Sequence, residues 1–219
     1  MIKAIIFDFD GLIYDTEVPE YTAFREIFAE HGYELELGIW GQCVGTNNSG
    51  FDPYDHLASC LGRPVDREEL RALHKAKFER LMAEETIRPG VETYLRTART
   101  LGLRIGLASS SSRAWVTGHL AKLNLLPYFE CIRVSDDVKL VKPDPELYLQ
   151  VIQAFGIEPR EAVAFEDSPN GAKAAKAAGL HCVAVPNGVT RELAFEAVDL
   201  RLSSLADIGL EALIERLQG

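Results

Sequence analysis

Residues Ile5-Ile6-Phe7-Asp8-Phe9-Asp10-Gly11 constrain this chain more than any other stretch. The apolar run Ala4 to Phe7 is too short for a helix and is soon followed by a turn residue, Gly11. That pattern suits a strand buried on both faces of a parallel sheet. Asp8 and Asp10 then stand at its carboxyl end, where open α/β sheets bind their ligands. Two carboxylates this close repel each other unless a cation lies between them or one keeps its proton. Because a short Asp-x-Asp also arises by chance as two solvated acids at a strand end, its meaning depends on the remaining strands.

After Thr16, a plausible N-cap, a helical pattern runs to His31-Gly32, and two more helices are predicted at about 53–61 and 66–85. Residues 16–85 show no strand-like alternation and read as an all-helical block. From Arg88-Pro89-Gly90 onward the pattern changes to strands alternating with helices. The predicted strands are Leu103 to Ala108, Cys131 to Val134, Ala162 to Phe165, His181 to Val185 and a weak Leu200 to Leu202, with a last helix over Leu205 to Leu217. This alternation predicts a doubly wound, mostly parallel α/β core over 1–15 and 86–219, with a helical cap over 16–85 inserted after the first strand.

Several classes are disfavoured. A net charge of -10 repels a phosphate backbone, so nucleic acid is not expected as a partner. No apolar run approaches the ~20 residues of a membrane span, and no signal-peptide pattern precedes the first strand. Cys43, Cys60, Cys131 and Cys182 lack metal-ligand spacing and suit core positions in a reducing cytosol, so the expected location is cytoplasmic.

Three strand ends carry chemistry: Asp8 and Asp10 after the first, Ser109 after the second, Glu166 and Asp167 after the fourth. Lys142 follows the third. Parallel pairing would gather four carboxylates against one lysine, which is not stable in a partly buried pocket without compensation. Mg²⁺ supplies it: it prefers oxygen ligands and is commonly completed by a substrate phosphate. Backbone N–H groups near Asp8 to Gly11, the Ser109 hydroxyl and the following helix N-terminus are expected to receive that phosphate. Ser109 alone would suit a helix N-cap equally well. Ser110 and Arg113 are further phosphate candidates, although Ser110 to Ser112 also suit cap or loop positions; Asp136 and Asp137 could extend the site but suit solvated turn acids better.

In order, Asp8-Phe9-Asp10-Gly11, Ser109, Lys142-Pro143 and Glu166-Asp167-Ser168 resemble the four motifs of the haloacid dehalogenase-like (HAD) superfamily. The helical insertion and the tail Tyr14-Asp15-Thr16-Glu17 resemble its β-phosphoglucomutase-like subfamily. The resemblance implies a Mg²⁺-dependent phosphatase in which Asp8 is the nucleophile and Asp10 the acid and base. Ser109 and Lys142 would bind phosphoryl oxygens. Mg²⁺ would sit on Asp8, the Asp10 carbonyl and Asp167, with Glu166 a ligand or an anchor for metal-bound water. The substrate is expected to be a small phosphomonoester, such as a sugar phosphate or nucleotide, and the protein a monomer.

A phosphomutase is the nearest rival. A dehalogenase needs no metal, and a receiver-type phospho-accepting module lacks both a second aspartate two residues after the acceptor and a helical cap. The cap loop Gly45 to Gly50 lacks the basic residue that the β-phosphoglucomutases it resembles place there. Glu20, Thr46, Asn47, Asn48 and Lys77 are the cap residues expected to face substrate, while Arg63, Arg67, Arg71, Lys75 and, as its alternative placement, Lys77 suit a solvated helix face.

Overall fold

The computed structural model describes residues 1–41, 44 and 50–219. Thr46, Asn47 and Asn48 therefore lie outside the described residues. Six strands, β1 (Ala4–Phe7), β2 (Arg104–Ala108), β3 (Cys131–Arg133), β4 (Ala162–Glu166), β5 (His181–Ala184) and β6 (Leu200–Arg201), form one parallel sheet in the order β3-β2-β1-β4-β5-β6. The chain winds outward from β1 to β3, then crosses back and winds the other way from β4. The reversal opens a crevice between the carboxyl ends of β1 and β4, where such sheets bind ligands.

Alternation along β1 divides the core. Ile5 and Phe7 join Ile105, Leu107, Val163 and Phe165 beneath α5 (Val91–Thr100), α6 (Arg113–Lys122) and α9 (Leu210–Gln218). Ala4 and Ile6 face the other way, against α7 (Glu146–Phe155) and α8 (Pro169–Ala177). Successive side chains of a strand point to opposite faces, so an unbroken apolar run is what a sheet covered on both sides requires. Small residues let the second layer approach closely: a Cβ added at Gly106 would lie 2.6 Å from Val151 Cγ1. The predicted last helix is instead a short 3₁₀ turn at Leu205–Asp207 followed by α9, separated by Ile208 and Gly209 in extended conformation.

The block between β1 and α5 contains α1 (Glu17–Glu30), α2 (Leu37–Trp40), α3 (Pro53–Leu61) and α4 (Arg67–Met82), and the short α2 is an element that the sequence pattern did not reveal. Asp52 and Asp66 cap α3 and α4 by accepting from the backbone N–H groups of Tyr54 and Asp55, and of Glu68 and Glu69. These helices have their own core around Phe24, Ile27, Phe28, Trp40, Leu57 and Leu70. The segments entering and leaving the block lie side by side: Tyr14 pairs with Ile87, and Arg88 N–H donates to Ile13 O at 2.9 Å. Among the described residues no helix is long and apolar enough to cross a membrane, and Cys131 and Cys182 are buried free thiols.

Gly106→Ala should cost about 1–3 kcal/mol, the usual penalty for overpacking. A chemical-denaturation midpoint would register it, and an unchanged midpoint would show that α7 does not bear on β2 this tightly.

Candidate active site

β1 and β4 are paired in register, with Phe7 opposite Phe165, so Asp8, just past β1, and Glu166, the last residue of β4, stand side by side at the carboxyl edge of the sheet. Asp8 N–H donates to Phe165 O at 3.0 Å, and Gly11 N–H to Tyr14 O at 2.8 Å. These two amides, expected to face a phosphate, are thus engaged in holding the turn. Gly11 takes φ +72°, and a Cβ there would run into Asp167 and Asn187. A left-handed turn with no side chain is what lets β1 pass so close to the loop after β4.

Lys142, from the loop after β3, is only 2% exposed, and its Nζ lies 2.7 Å from both Asp8 Oδ1 and Glu166 Oε1. Tyr148 on α7 donates its hydroxyl to the same Glu166 oxygen. Glu166 Oε2 is buried with no hydrogen-bond partner among the described residues. It points toward Gly171, where a Cβ would overlap the carboxylate. Asp167 Oδ2 accepts from Asn187 Nδ2 at 2.8 Å. Arg88 adds a positive charge nearby while its guanidinium clamps the carbonyls of Gly11, Val185 and Pro186. Asp8, Glu166 and Asp167 bring ligand oxygens within 4.8 Å of one another.

Electrostatics mark this cluster as incomplete. Burial, only partly offset by Lys142, raises the Asp8 carboxyl above its ordinary range. Burial, with Asp8 adding to it, pushes Glu166 up to about 7. Asp167 is raised well above the usual range by burial and by the facing Asp8, Glu17 and Glu166. Burial beside Asp10 and Glu20 pushes Glu17 up to about 8. The same carboxylates hold the Lys142 ammonium well above its ordinary range despite burial. An all-oxygen donor set, an orphaned buried carboxylate oxygen and mutual repulsion fit a hard divalent cation such as Mg²⁺.

Asp10 is held separately. Its Oδ1 accepts from Thr16 Oγ1 at 3.0 Å and from Trp115 Nε1 at 2.8 Å. Its Oδ2 accepts from Ser111 Oγ at 2.5 Å and lies 3.5 Å from Ser109 Oγ. Thr16 therefore does not cap α1, as its type suggested; Asp15 accepts from Val18 N–H in its place. Sequence reasoning missed Thr16, Ser111 and Trp115 as partners of Asp10, and also Tyr148, Arg88 and Asn187. Trp115 and Tyr148 sit at helical positions that any core aromatic could fill, whereas Asn187 lay within a strand-end Pro-Asn-Gly that was at least visible.

A cavity of about 450 Å³ opens above the cluster, lined on its floor by Asp8, Asp10, Ser109, Ser110, Lys142 and Asp167. Glu17, Glu20, Trp40, His74, Lys75 and Phe78 form walls contributed by the helical block. Glu20 is thus brought to the cavity, where its Oε1 lies 3.3 Å from His74 Nε2. Two expectations are corrected. Lys77 is turned away to Glu26 and Glu30 of α1, at 3.1 and 2.7 Å. Arg113 is held 2.5 Å from Asp137 by an ion pair that the turn acids supply. Asp136 likewise takes the Arg113 N–H, and Ser112 that of Trp115, so these two N-terminal amides of α6 do not await a phosphate. Lys75, expected on a solvated face, borders the cavity while remaining 75% exposed beside Glu79.

Residues 5–185 match the family model described as haloacid dehalogenase-like hydrolase. The Bacillus subtilis protein YhcW, which carries a phosphatase name, is 52% identical over 217 residues, covering 99% of this chain and 98% of its own. A Thermotoga maritima phosphorylated carbohydrates phosphatase is 30% identical, with 82% of each chain aligned. A variant of CbbY from Rhodobacter sphaeroides in complex with xylulose 1,5-bisphosphate superposes with a TM-score of 0.73 at 30% identity, covering 97% of this chain and 99% of that one.

The raised carboxyls set a pH dependence. Glu166 and Glu17 bind protons more tightly folded than unfolded, so the stability these two groups contribute is fully present below about pH 4.5 and is lost as pH rises through 7 to 8. In chelator the melting temperature should fall between pH 5.5 and 8.5, and Mg²⁺ at 100 times its Kd should restore about 2.7 kcal/mol. Mg²⁺ should raise the melting temperature more at pH 8.5 than at 5.5; an equal rise at both would place the ion away from these carboxylates.

Proposed function

Because this chain belongs to the haloacid dehalogenase-like hydrolase family, we propose that it is a phosphatase that hydrolyses a small phosphomonoester through an aspartyl phosphate on Asp8. The observation that carries this reading is the ion pair of buried Lys142 with Asp8, at the floor of a cavity that Asp10 also lines. Lys142 and Tyr148 fix the Asp8–Glu166 pair, leaving Asp8 oriented for attack on phosphorus while its charge is balanced. Mg²⁺, held by Asp8, Asp167 and Glu166, would neutralise charge on the phosphoryl oxygens, without which a carboxylate is a feeble nucleophile.

The steps left to the protein are positioning and proton transfer. Lys142, 2.7 Å from the attacking carboxylate, and Ser109, which lines the same cavity, would bind phosphoryl oxygens, with Ser110 also bordering the cavity. Asp10 would protonate the leaving oxygen and then deprotonate the water that hydrolyses the acyl phosphate. The helical block, residues 16–85, would act as a cap that excludes water while it is closed, moving about the paired crossings at Tyr14 and Ile87.

A small phosphorylated metabolite, sugar phosphates foremost, is the proposed partner; the Thermotoga maritima relative named for phosphorylated carbohydrates supports that choice. A mutase must hold a second phosphate on a fixed cation. Among the described residues that line the cavity there is no arginine. Lys142 is engaged with Asp8 and Glu166, and Lys75 is exposed at the rim. Glu17 and Glu20 stand where a second anion would have to sit.

Asp8→Asn should lower Mg²⁺-dependent turnover of p-nitrophenyl phosphate by at least about 10³-fold, as loss of a nucleophile does elsewhere. Chelator should abolish the wild-type activity, and Ca²⁺ should bind without restoring it. Substantial turnover by the Asp8→Asn protein, or by wild type in excess chelator, would refute the reading. Glucose 1-phosphate and glucose 6-phosphate should not interconvert when primed with glucose 1,6-bisphosphate; rapid isomerisation would make the protein a mutase.

A further inference from the structure

We propose that Trp115 is a positioning residue for Asp10, fixing which of its two carboxylate oxygens exchanges protons with substrate. Trp115 is not one of the four motif residues, yet its indole reaches the acid directly, with Nε1 2.8 Å from Asp10 Oδ1. An indole N–H can only donate. The oxygen it faces is thereby reserved as an acceptor and cannot carry a proton on that side. Thr16 Oγ1 approaches the same oxygen at 3.0 Å.

Oδ2 has different neighbours. Ser111 Oγ lies at 2.5 Å and Ser109 Oγ at 3.5 Å. Hydroxyls rotate and can donate or accept. Ser111 can therefore donate to Oδ2 when Asp10 is a carboxylate and accept from it when Asp10 is an acid. Thr16 could likewise accept a proton carried on Oδ1, but the donor-only indole would then face a protonated, poorly accepting oxygen, so the Oδ2 side is the one where protonation leaves every hydrogen bond intact. It is also the side that faces Ser109, the predicted phosphoryl ligand. An acid with its proton on the wrong oxygen must rotate or exchange before it can serve the leaving group, so a donor that removes that choice raises the reactive fraction.

The indole is held for this task. Its ring packs on His119 at a centroid distance of 4.1 Å and on Phe78 of α4 at 6.1 Å, the latter inclined by 29°. Ser112 Oγ accepts the Trp115 backbone N–H at 3.4 Å at the start of α6. A ring packed by two aromatic neighbours keeps its N–H aimed where a flexible donor would wander.

This assignment rests on Asp10 being the general acid, and kinetics of Trp115→Phe and Asp10→Asn can separate the two ideas. Phenylalanine keeps an aromatic ring against Phe78 and His119 but removes the donor. Trp115→Phe should reduce kcat for an alkyl phosphate about tenfold, equivalent to one oriented hydrogen bond in the transition state, with kcat for p-nitrophenyl phosphate changed less than about twofold. KM for both should stay within about twofold, because the indole acts on the acid and not on binding. Asp10→Asn should show the same selectivity more strongly. If Asp10→Asn slows both substrates equally, the general-acid reading fails. If Asp10→Asn is selective and Trp115→Phe is not, only the role of Trp115 fails.

Should Trp115→Phe not fold, the hydrogen bond can be read in the otherwise intact protein. The chain has two tryptophans, so Trp40→Phe identifies the Trp115 indole proton by NMR. That proton should resonate downfield and move upfield in Asp10→Asn. A signal indifferent to Asp10→Asn would overturn the proposal.

Discussion

Lys142 Nζ lies 2.7 Å from Asp8 and 2.7 Å from Glu166 in a space that solvent barely reaches, and Asp167 closes the same cluster. Three buried carboxylates against one ammonium are an electrostatic debt that the protein alone does not settle. The surrounding architecture exists to hold that unfavourable arrangement. In-register pairing of β1 with β4 sets Asp8 beside Glu166, Tyr148 ties Glu166 to α7, and Arg88 clips the loop after β1 to the loop after β5. Alanine-rich α8 packs close enough that a Cβ at Gly171 would overlap the Glu166 carboxylate. A hard divalent cation among Asp8, Glu166 and Asp167 would relieve that repulsion.

The floor of the site and its walls come from different parts of the chain. The floor is rigid, because it hangs from a sheet whose two faces are buried by separate helical layers. The walls belong to a helical block with its own core and its own ion pairs, such as Lys77 and Arg80 to Glu26. The carboxylate cluster is thus held by the sheet, while Glu17, Glu20, His74, Lys75 and Phe78 face it across the cavity. Trp115 stands where the two meet, in contact with Phe78 on one side and Asp10 on the other.

How far this could be read from the chain varied with the kind of interaction. β1 and its two aspartates were legible because a doubly buried strand is an apolar run and the carboxylates interrupt it at the reactive end. The order of strands and helices followed from the alternation of periods, and the helices at 53–61 and 67–82 were visible by their apolar spacing. The partners of Asp10 were not, since Thr16 and Ser112 look alike as caps and only tertiary packing turns one toward Asp10 and the other to its own helix. Arg113 was misread because nothing local shows that Asp137 lies 2.5 Å from its guanidinium. Lys77 and Lys75 are two residues apart on α4 and therefore on different faces; periodicity could not say which face meets the cavity.

The central claim is that Asp8 itself carries the phosphoryl group. Rapid quenching of wild-type protein during turnover with Mg²⁺, followed by borohydride, tests it most directly, because an acyl phosphate is reduced to an alcohol that peptide mass spectrometry can locate. The account predicts reduction at position 8 and at no other carboxylate. Trapping at Asp10 or Asp167 would contradict it, and so would phosphate release with inversion at phosphorus, which requires direct attack by water.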